Sequence, residues 1–307
     1  MKKILLLLIA MIMVATAAKA QVSVCDVNSD GSVNSADVVA IYNKIITGED
    51  PQAPMPSITK TFYYNGVPFT FVAVEGGTYL MGASRKDNSS NMSDNPQHEV
   101  SVNSFYIGQT EVTQAQWKAL MGETSTSKCR FQGDNLPVEY VTHQEALVFC
   151  LAMNLAFYGK LPEGKIFRLA YNAEWEYAAR GGRMSKGCIY SGSDTMEDVA
   201  WCDANSENKT HPVATKAPNE LGIYDMSGNV AEWCMDYYDY SYYKVSPKEN
   251  PTGPEKPLFE NDYVIRGGNY QTSEYQGDLK VCRHDGMYQP LSANFVGLRL
   301  VIGDSFQ

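Results

Sequence analysis

Residues 219–233 of the chain read NELGIYDMSGNVAEW. The stretch places two carboxylates, Asp225 and Glu232, around a tight turn that contains Gly228 and Val230. Carboxylate and backbone carbonyl oxygens are the hard donors that calcium prefers. The pattern therefore suits a calcium site, and the alternative is that the two carboxylates only cap the turn.

Further short sequence blocks lie on both sides of this stretch. They are YLMG at 79–82, NPQHEV at 95–100, FYI at 105–107, TEVTQAQW at 110–117, LPV at 136–138, FRL at 167–169, AEWEYAARGG at 173–182, RGG at 266–268 and GLR at 297–299. In this order the blocks resemble the formylglycine-generating enzyme family, also called sulfatase-modifying factors. The resemblance covers nearly all of residues 70–302.

This resemblance implies the C-type-lectin-like fold of that family, which has little regular secondary structure. It also implies a structural calcium site in which Asp225 and Glu232 give side chains and Gly228 and Val230 give carbonyls. The residue patterns agree on the fold class. Short alternating segments such as residues 69–74 predict strands, and helices are expected at Gln114–Met121, Gln144–Tyr158 and Asn172–Arg180. We expect an α+β domain over residues 59–303, followed by a short tail at 304–307.

Members of the family that make formylglycine use two cysteines that bind copper, and Cu(I) prefers soft thiolates. The resemblance puts those cysteines six and eleven residues after Arg266, where this chain has Thr272 and Gly277. We therefore predict that the domain forms no formylglycine and that copper is not a cofactor. Two alternatives stay open: an enzyme of different chemistry or metal on the same fold, or a nucleophile pair formed by Cys282 and His284.

The C-terminal part of the domain is rich in tyrosine. By resemblance this segment builds the substrate groove of the enzymes, or a ligand-binding face in relatives that are not enzymes. Rigid amphipathic rings beside polar side chains are typical of adaptable binding surfaces. Tyr270, Tyr275, Arg283 and Tyr288 are the predicted ligand-binding residues, and the predicted ligand is a protein or a glycan. The alternative is that the tyrosines pack over loops.

The N-terminal segment predicts export. Lys2 and Lys3 precede an apolar run over residues 4–17, and Ala18-Lys19-Ala20 follows. This is the pattern of a cleaved secretory signal peptide, and the run is too short to span a membrane. We expect cleavage after Ala20 and a secreted or periplasmic protein.

Residues 26–37 predict a calcium loop of the EF-hand type. The predicted ligands are Asp26, Asn28, Asp30, Ser32 (through its carbonyl), Asn34 and Asp37, with Gly31 at the sharp turn. A short helix follows until Gly48, and residues 49–58 form a proline-containing linker. The loop and helix, residues 21–48, resemble a single dockerin repeat, which implies a cohesin-like partner in an extracellular complex. The alternative is an Asp- and Asn-rich turn before a short helix.

The charge and composition of the chain argue against two classes of partner, nucleic acids and the membrane interior. The 307 residues carry a formal net charge of −10, which provides no electrostatic footprint for a nucleic acid. No stretch after the signal is apolar enough to span a bilayer, so we expect no membrane span. The seven cysteines contain no C-x-x-C pair, and their connectivity stays open.

Overall fold

The computed structural model describes residues 59–89, 91–259, 261–273 and 277–305. The predicted signal peptide, the dockerin-like loop with its six ligands, the linker and Tyr275 lie outside the described residues. The strands are β1 Thr59–Tyr64, β2 Val67–Val74, β3 Gly77–Met81, β4 His98–Val102, β5 Phe105–Gly108, β6 Lys165–Leu169, β7 Ala231–Tyr237, β8 Asp262–Arg266, β9 His284–Tyr288, β10 Val296–Leu298 and β11 Leu300–Asp304. The helices are α1 Gln114–Met121, α2 His143–Ala156, α3 Asn172–Ala179 and the single turn α4 Met196–Val199.

Two larger sheets form the frame of the domain. A five-stranded antiparallel sheet has the order β1-β2-β5-β11-β6, and a four-stranded sheet has the order β10-β7-β8-β9, with β10 parallel to β7. A third sheet pairs β3 with β4. Strands and helices occur together with long irregular connections, so the predicted α+β class is confirmed.

The five-stranded sheet is covered on both faces because its residues alternate between two apolar clusters. Phe69 and Phe71 of β2 pack into one cluster with Trp117 and Phe149 of helices α1 and α2. Val72 and Val74 point the other way, into a cluster that includes Trp175 of α3. Both faces of this sheet therefore belong to the core.

Helices α1 and α3 begin at the predicted residues, and α2 begins one residue before its predicted start. Thr113 accepts a hydrogen bond from the Gln116 N–H and forms a capping box at the start of α1, and Thr142 and Glu145 do the same for α2. Helix α3 ends before Gly181, which has the left-handed φ of 89° that favours glycine. The predicted helix ends of α2 and α3 differ from the observed ends by one or two residues. Within the described ranges, no helix has both the length and the apolar character needed to cross a membrane.

A buried ion pair links the two larger sheets. Arg299 stands between β10 and β11, where the chain leaves the four-stranded sheet and enters the five-stranded sheet. Its Nη2 and Nε donate to Oε1 of Glu232 in β7 at 2.7 and 2.9 Å. Its Nη1 donates to the carbonyl of Gly108 in β5 at 2.9 Å. Both side chains are only 1% exposed, so this pair is shielded from solvent.

We predict that removing either partner of this pair strongly destabilises the domain. Arg299→Met leaves the Glu232 carboxylate buried without its cation, and Glu232→Gln leaves the guanidinium without its anion. A broken buried pair costs about 3–5 kcal/mol. The measurement is the free energy of unfolding in urea.

Asp134→Ala serves as the control, because it removes the exposed pair between Lys118 and Asp134. An exposed pair contributes about 0–1 kcal/mol. Equal losses for the buried and exposed variants would contradict the structural role given to Arg299.

Candidate functional site

A cavity of about 420 Å³ opens beside the C-terminal end of β8 and along the edge strand β9. Its wall combines backbone from the Arg-Gly-Gly block with polar and charged side chains of the following segment. The lining residues are Ala231, Ile265, Arg266, Gly267, Gly268, Asn269, Gln271, Thr272, Asp278, Arg283, His284, Asp285, Gly286, Met287 and Phe295. The volume is in the range of sites for small ligands or single side chains.

Arg266, the last residue of β8, holds one wall of this cavity in place. Its Nη1 donates to the carbonyl oxygens of Val281 at 3.0 Å and Arg283 at 2.9 Å. Its Nη2 donates to Glu176 Oε2 at 2.8 Å, and its Nε donates to Asn172 Oδ1 at 2.6 Å. All these contacts tie the segment that carries Arg283 to helix α3 across the core.

The two glycines after Arg266 allow the chain to turn into the cavity wall. Gly267 and Gly268 have φ values of 91° and 64°, in the left-handed region that favours glycine. A Cβ on Gly268 would lie 3.0 Å from the carbonyl oxygen of Asp278. The wall therefore has room for backbone alone at this point.

Arg283 is the main positive charge of the cavity and faces three carboxylates. Its Nε lies 2.8 Å from Asp278 Oδ1, its Nη2 lies 3.2 Å from Asp285 Oδ2, and its Nη1 lies 3.7 Å from Asp94 Oδ1. Burial raises the pKa of the Asp285 carboxyl to about 6, while Arg283 acts to lower it. Burial also raises the pKa of Asp94. The cavity thus combines an anchored cation with one carboxyl, that of Asp285, whose raised pKa means that it holds its proton more readily than usual.

The two positions implied for copper ligands contain no sulfur. Thr272 lines the cavity, and its hydroxyl accepts a hydrogen bond from the Asn269 N–H at 2.9 Å. Gly277 has a φ of 76° and lies close to Lys280. No lining residue of the cavity is a cysteine. A hydroxyl and a glycine are not the soft donors that Cu(I) prefers.

Cys282 and His284 do not form an activated nucleophile pair. Cys282 is fully buried, and burial raises the pKa of its thiol far above the usual range. Burial, together with the positive charges of Arg266 and Arg283, lowers the pKa of His284 well below 6.5. The thiol stays protonated and the imidazole stays neutral, whereas nucleophilic catalysis needs a thiolate. None of the six cysteines in the described part of the chain forms a disulfide.

The structure separates the predicted ligand-binding residues. Arg283 lines the cavity, as predicted. Tyr270 is 0% exposed, and its hydroxyl accepts from Asn294 Nδ2 at 2.6 Å while its ring packs edge-on to Phe131. In this arrangement Tyr270 supports the wall and cannot contact a ligand, because its ring fills the space beneath the loops. Tyr288 is exposed at the end of β9 and lies outside the cavity lining.

Sequence reasoning missed the acidic residues of the cavity, Asp278 and Asp285. They flank Arg283 at positions −5 and +2 in the chain. The signal that could have found them is an arginine surrounded by acidic residues in the segment implied to form the groove. Asn269 and Gln271 were missed as well, because polar residues after a glycine pair are equally common in ordinary turns.

The predicted calcium ligands lie in a buried region with excess negative charge. Asp225 Oδ2 accepts from the Ala214 N–H at 2.7 Å, and Glu232 Oε2 accepts from Trp175 Nε1 at 2.6 Å. A third carboxylate, Glu111, is fully buried beside them and accepts from the Val230 N–H at 2.9 Å. Sequence reasoning did not include Glu111.

Three buried carboxylates therefore share a single guanidinium, that of Arg299. Burial, with a further contribution from Glu232, raises the pKa of Asp225 to about 6. The pKa of Glu111 is raised well above its ordinary value by burial and by Asp225 and Glu232. Carboxyl oxygens are hard donors of the kind that calcium prefers, and a bound cation would favour their ionised form. In the described ranges no three His, Cys, Asp or Glu side chains converge as a metal cluster, so a cation here would also need carbonyl oxygens.

Comparison with known proteins identifies the family. The sequence model of the sulfatase-modifying factor enzyme 1-like domain matches residues 65–303. The chain belongs to this family. The predicted family membership is therefore confirmed.

Individual relatives agree with this assignment. The chain is 34% identical over 247 residues to the chaperone protein LppX of Paenibacillus barcinonensis, a match that covers 66% of this chain and 79% of that protein. It is 27% identical over 248 residues to the formylglycine-generating enzyme of Streptomyces coelicolor, covering 65% of this chain and 78% of the enzyme. Among solved structures, variable protein 1 of Treponema denticola superposes with a TM-score of 0.69 at 27% identity, covering 80% of this chain and 99% of that one.

We predict that Arg283 controls the ionisation of Asp285. Arg283→Met removes the cation that favours the charged carboxylate, so the pKa of Asp285 should rise above about 6. A carboxyl-detected NMR titration of the labelled protein measures this value. The exposed Lys160→Met variant should leave it unchanged, and an unchanged pKa in Arg283→Met would refute the coupling.

Proposed function

We propose that the protein is a secreted, calcium-binding member of this family that binds a protein or glycan ligand in the cavity beside β9 and does not oxidise cysteine. The observation that carries the proposal is the chemistry of the cavity. The cavity lies within the domain that matches the family model, and Thr272 and Gly277 occupy the positions implied for the two copper-binding cysteines.

The remaining groups of the cavity suit recognition better than redox chemistry. Arg283 is held in a fixed orientation by Asp278 and Asp285, so the cavity presents a preorganised cluster of both charges. The backbone of the two glycines and the side chains of Asn269 and Gln271 add neutral polar groups. A few polar groups fixed in a preformed concave site are what a specific ligand pocket requires. LppX, described as a chaperone protein, supports a binding role by analogy.

The first test is turnover of a cysteine-containing peptide of the sulfatase type. With copper and oxygen supplied, the purified protein should release no aldehyde product, because no thiolate pair lines the cavity. Mass spectrometry of the peptide measures the conversion, with an active formylglycine-generating enzyme as the positive control. Conversion of the peptide by this protein would overturn the proposal.

The second test asks whether the cavity recognises a ligand. Hits from a protein and glycan binding screen should bind Arg283→Met about tenfold more weakly or worse, since hydrogen bonds to charged groups contribute about 1.5–3 kcal/mol. Isothermal titration calorimetry measures the dissociation constants. Lys160→Met is the matched control, because it removes an exposed cation elsewhere. Equal binding by both variants would place the ligand outside this cavity.

The calcium part of the proposal rests on the excess buried carboxylates near Arg299 and on the N-terminal loop of residues 26–37. Bound calcium should raise the melting temperature, and a chelator should lower it. Asp225→Asn should reduce the response of the main domain, because it removes one negative ligand. Calorimetry with and without chelator measures the effect. A chelator response of the same size in Asp225→Asn would exclude this residue as a ligand.

The dockerin-like repeat motivates a second role, as the tether to an extracellular complex. Calcium orders loops of this type, so association with a partner through residues 21–48 should require calcium. A pull-down with and without chelator tests this role. Association that is independent of calcium, or retained after deletion of residues 21–48, would count against it.

A further inference from the structure

A second cavity, of about 540 Å³, lies at the opposite end of β7 from the first. Its floor includes Met235 and Tyr237 near the C-terminal end of that strand, whereas Ala231 at the strand's start borders the first cavity. Tyr237 lies six positions after Ala231 along the strand, which is about 20 Å. The two cavities are therefore distinct sites on one domain.

The outer wall of this cavity is a proline-containing loop held in a fixed position. Asn250 forms two hydrogen bonds with β4 and the residue that follows it. Its N–H donates to the Ser101 carbonyl at 2.8 Å, and its Oδ1 accepts from the Asn103 N–H at 2.7 Å. Gly253 packs so closely on Asp236 that a Cβ would lie 2.7 Å from the Asp236 Cβ. A wall fixed in this way is preorganised, which reduces the entropy lost on binding.

The charges of the cavity disfavour an anion. Arg168 is the one cation among the described lining residues, and it donates to both oxygens of Glu174 at 2.7 and 2.8 Å and to the carbonyl of Asp304 at 3.1 Å. The guanidinium is buried and its donors are used, so it has little to offer a ligand. Asp304 pairs with Lys165. Glu249 is exposed and takes part in no ion pair within the described part of the chain.

The apolar part of the cavity suits an aliphatic stem. Its lining contains Tyr171, Tyr237, Met235 and two prolines, Pro251 and Pro254. The Tyr171 ring already carries a cation of the protein itself, because the Arg168 guanidinium lies 4.7 Å from its centroid. Long basic side chains lay their methylene stems along such surfaces and keep the charged end at polar groups.

We propose that this second cavity binds a lysine or arginine side chain presented by a partner polypeptide. The stem would lie on Tyr237 and Met235, and the cationic end would meet the Glu249 carboxylate at the rim. Charge complementarity with the exposed Glu249 carboxylate carries the choice of a basic side chain over an acidic one. The inference is independent of the ligand of the first cavity.

The test uses single-residue probes and NMR of the full mature protein. N-acetyl-lysine-methylamide should shift the amide signals of the non-proline residues of 249–254 (Glu249, Asn250, Thr252 and Gly253) in a saturable way up to ~20 mM, a range that covers the millimolar affinity of one side chain. The norleucine analogue, which has the stem without the charge, should bind more weakly. The glutamate analogue should leave these signals unchanged.

Glu249→Gln should lower the affinity for the lysine probe by about 1.5- to fivefold at low salt, the range of an exposed ion pair. Glu249→Lys should abolish lysine binding. Glu123→Gln, another exposed carboxylate, is the matched control and should bind as the wild type does. Equal shifts from the norleucine and lysine probes, no saturable shift at residues 249–254, or no effect of Glu249→Lys would overturn the proposal. Arg283→Met should leave this binding intact, so failure here is distinct from failure at the first cavity.

Discussion

The buried pair between Glu232 and Arg299 is the constraint on which this domain depends most. Arg299 occupies the point where the chain passes from one sheet to the other, and its guanidinium reaches both: Glu232 in the four-stranded sheet and the Gly108 carbonyl in the five-stranded sheet. Taking both charges out of water is expensive, so such a pair persists only with full hydrogen bonding. Trp175 Nε1 and the Tyr224 carbonyl complete that bonding.

A second buried ion pair stabilises the wall of the first cavity in the same way. Arg266 and Glu176 are each about fully buried, and Arg266 also holds the carbonyls of residues 281 and 283. None of these contacts involves Thr272 or Gly277. The frame of an oxidising enzyme can therefore persist without the sulfur ligands, because the residues that build the frame and the residues that would hold copper are different. This separation is the physical reason that a binding function on the same fold is chemically reasonable.

The sequence allowed the fold to be predicted wherever the signal was local or came as an ordered block. The three expected helices agree with the observed ones to within two residues at each end, where capping boxes at Thr113 and Thr142 and the glycine at 181 delimit them. The partners of the buried charges could not be predicted. Glu232 and Arg299 are 67 positions apart, and only the folded chain brings them together.

The candidate site could be predicted only in part, because its residues also come together only in the folded chain. Arg283 could be predicted because it lies in the segment implied to form the groove, and it lines the cavity. The burial of Tyr270 could not be predicted, because an aromatic ring in a loop-rich segment can serve either packing or recognition. Asp285 and Glu111 were missed because single carboxylates carry no spacing signal. The second cavity could not be predicted from the sequence either, since its walls come from five separate regions of the chain.

The most direct measurement for the central claim is an anaerobic Cu(I) titration of the mature protein against a chromophoric chelator. An active formylglycine-generating enzyme serves as the reference. The chelator is expected to keep the copper, because the positions of the thiolate pair hold a hydroxyl and a glycine and because burial raises the pKa of the Cys282 thiol far above its usual range. Retention of one equivalent of Cu(I) by this protein, with thiolate-to-copper absorption, would contradict it.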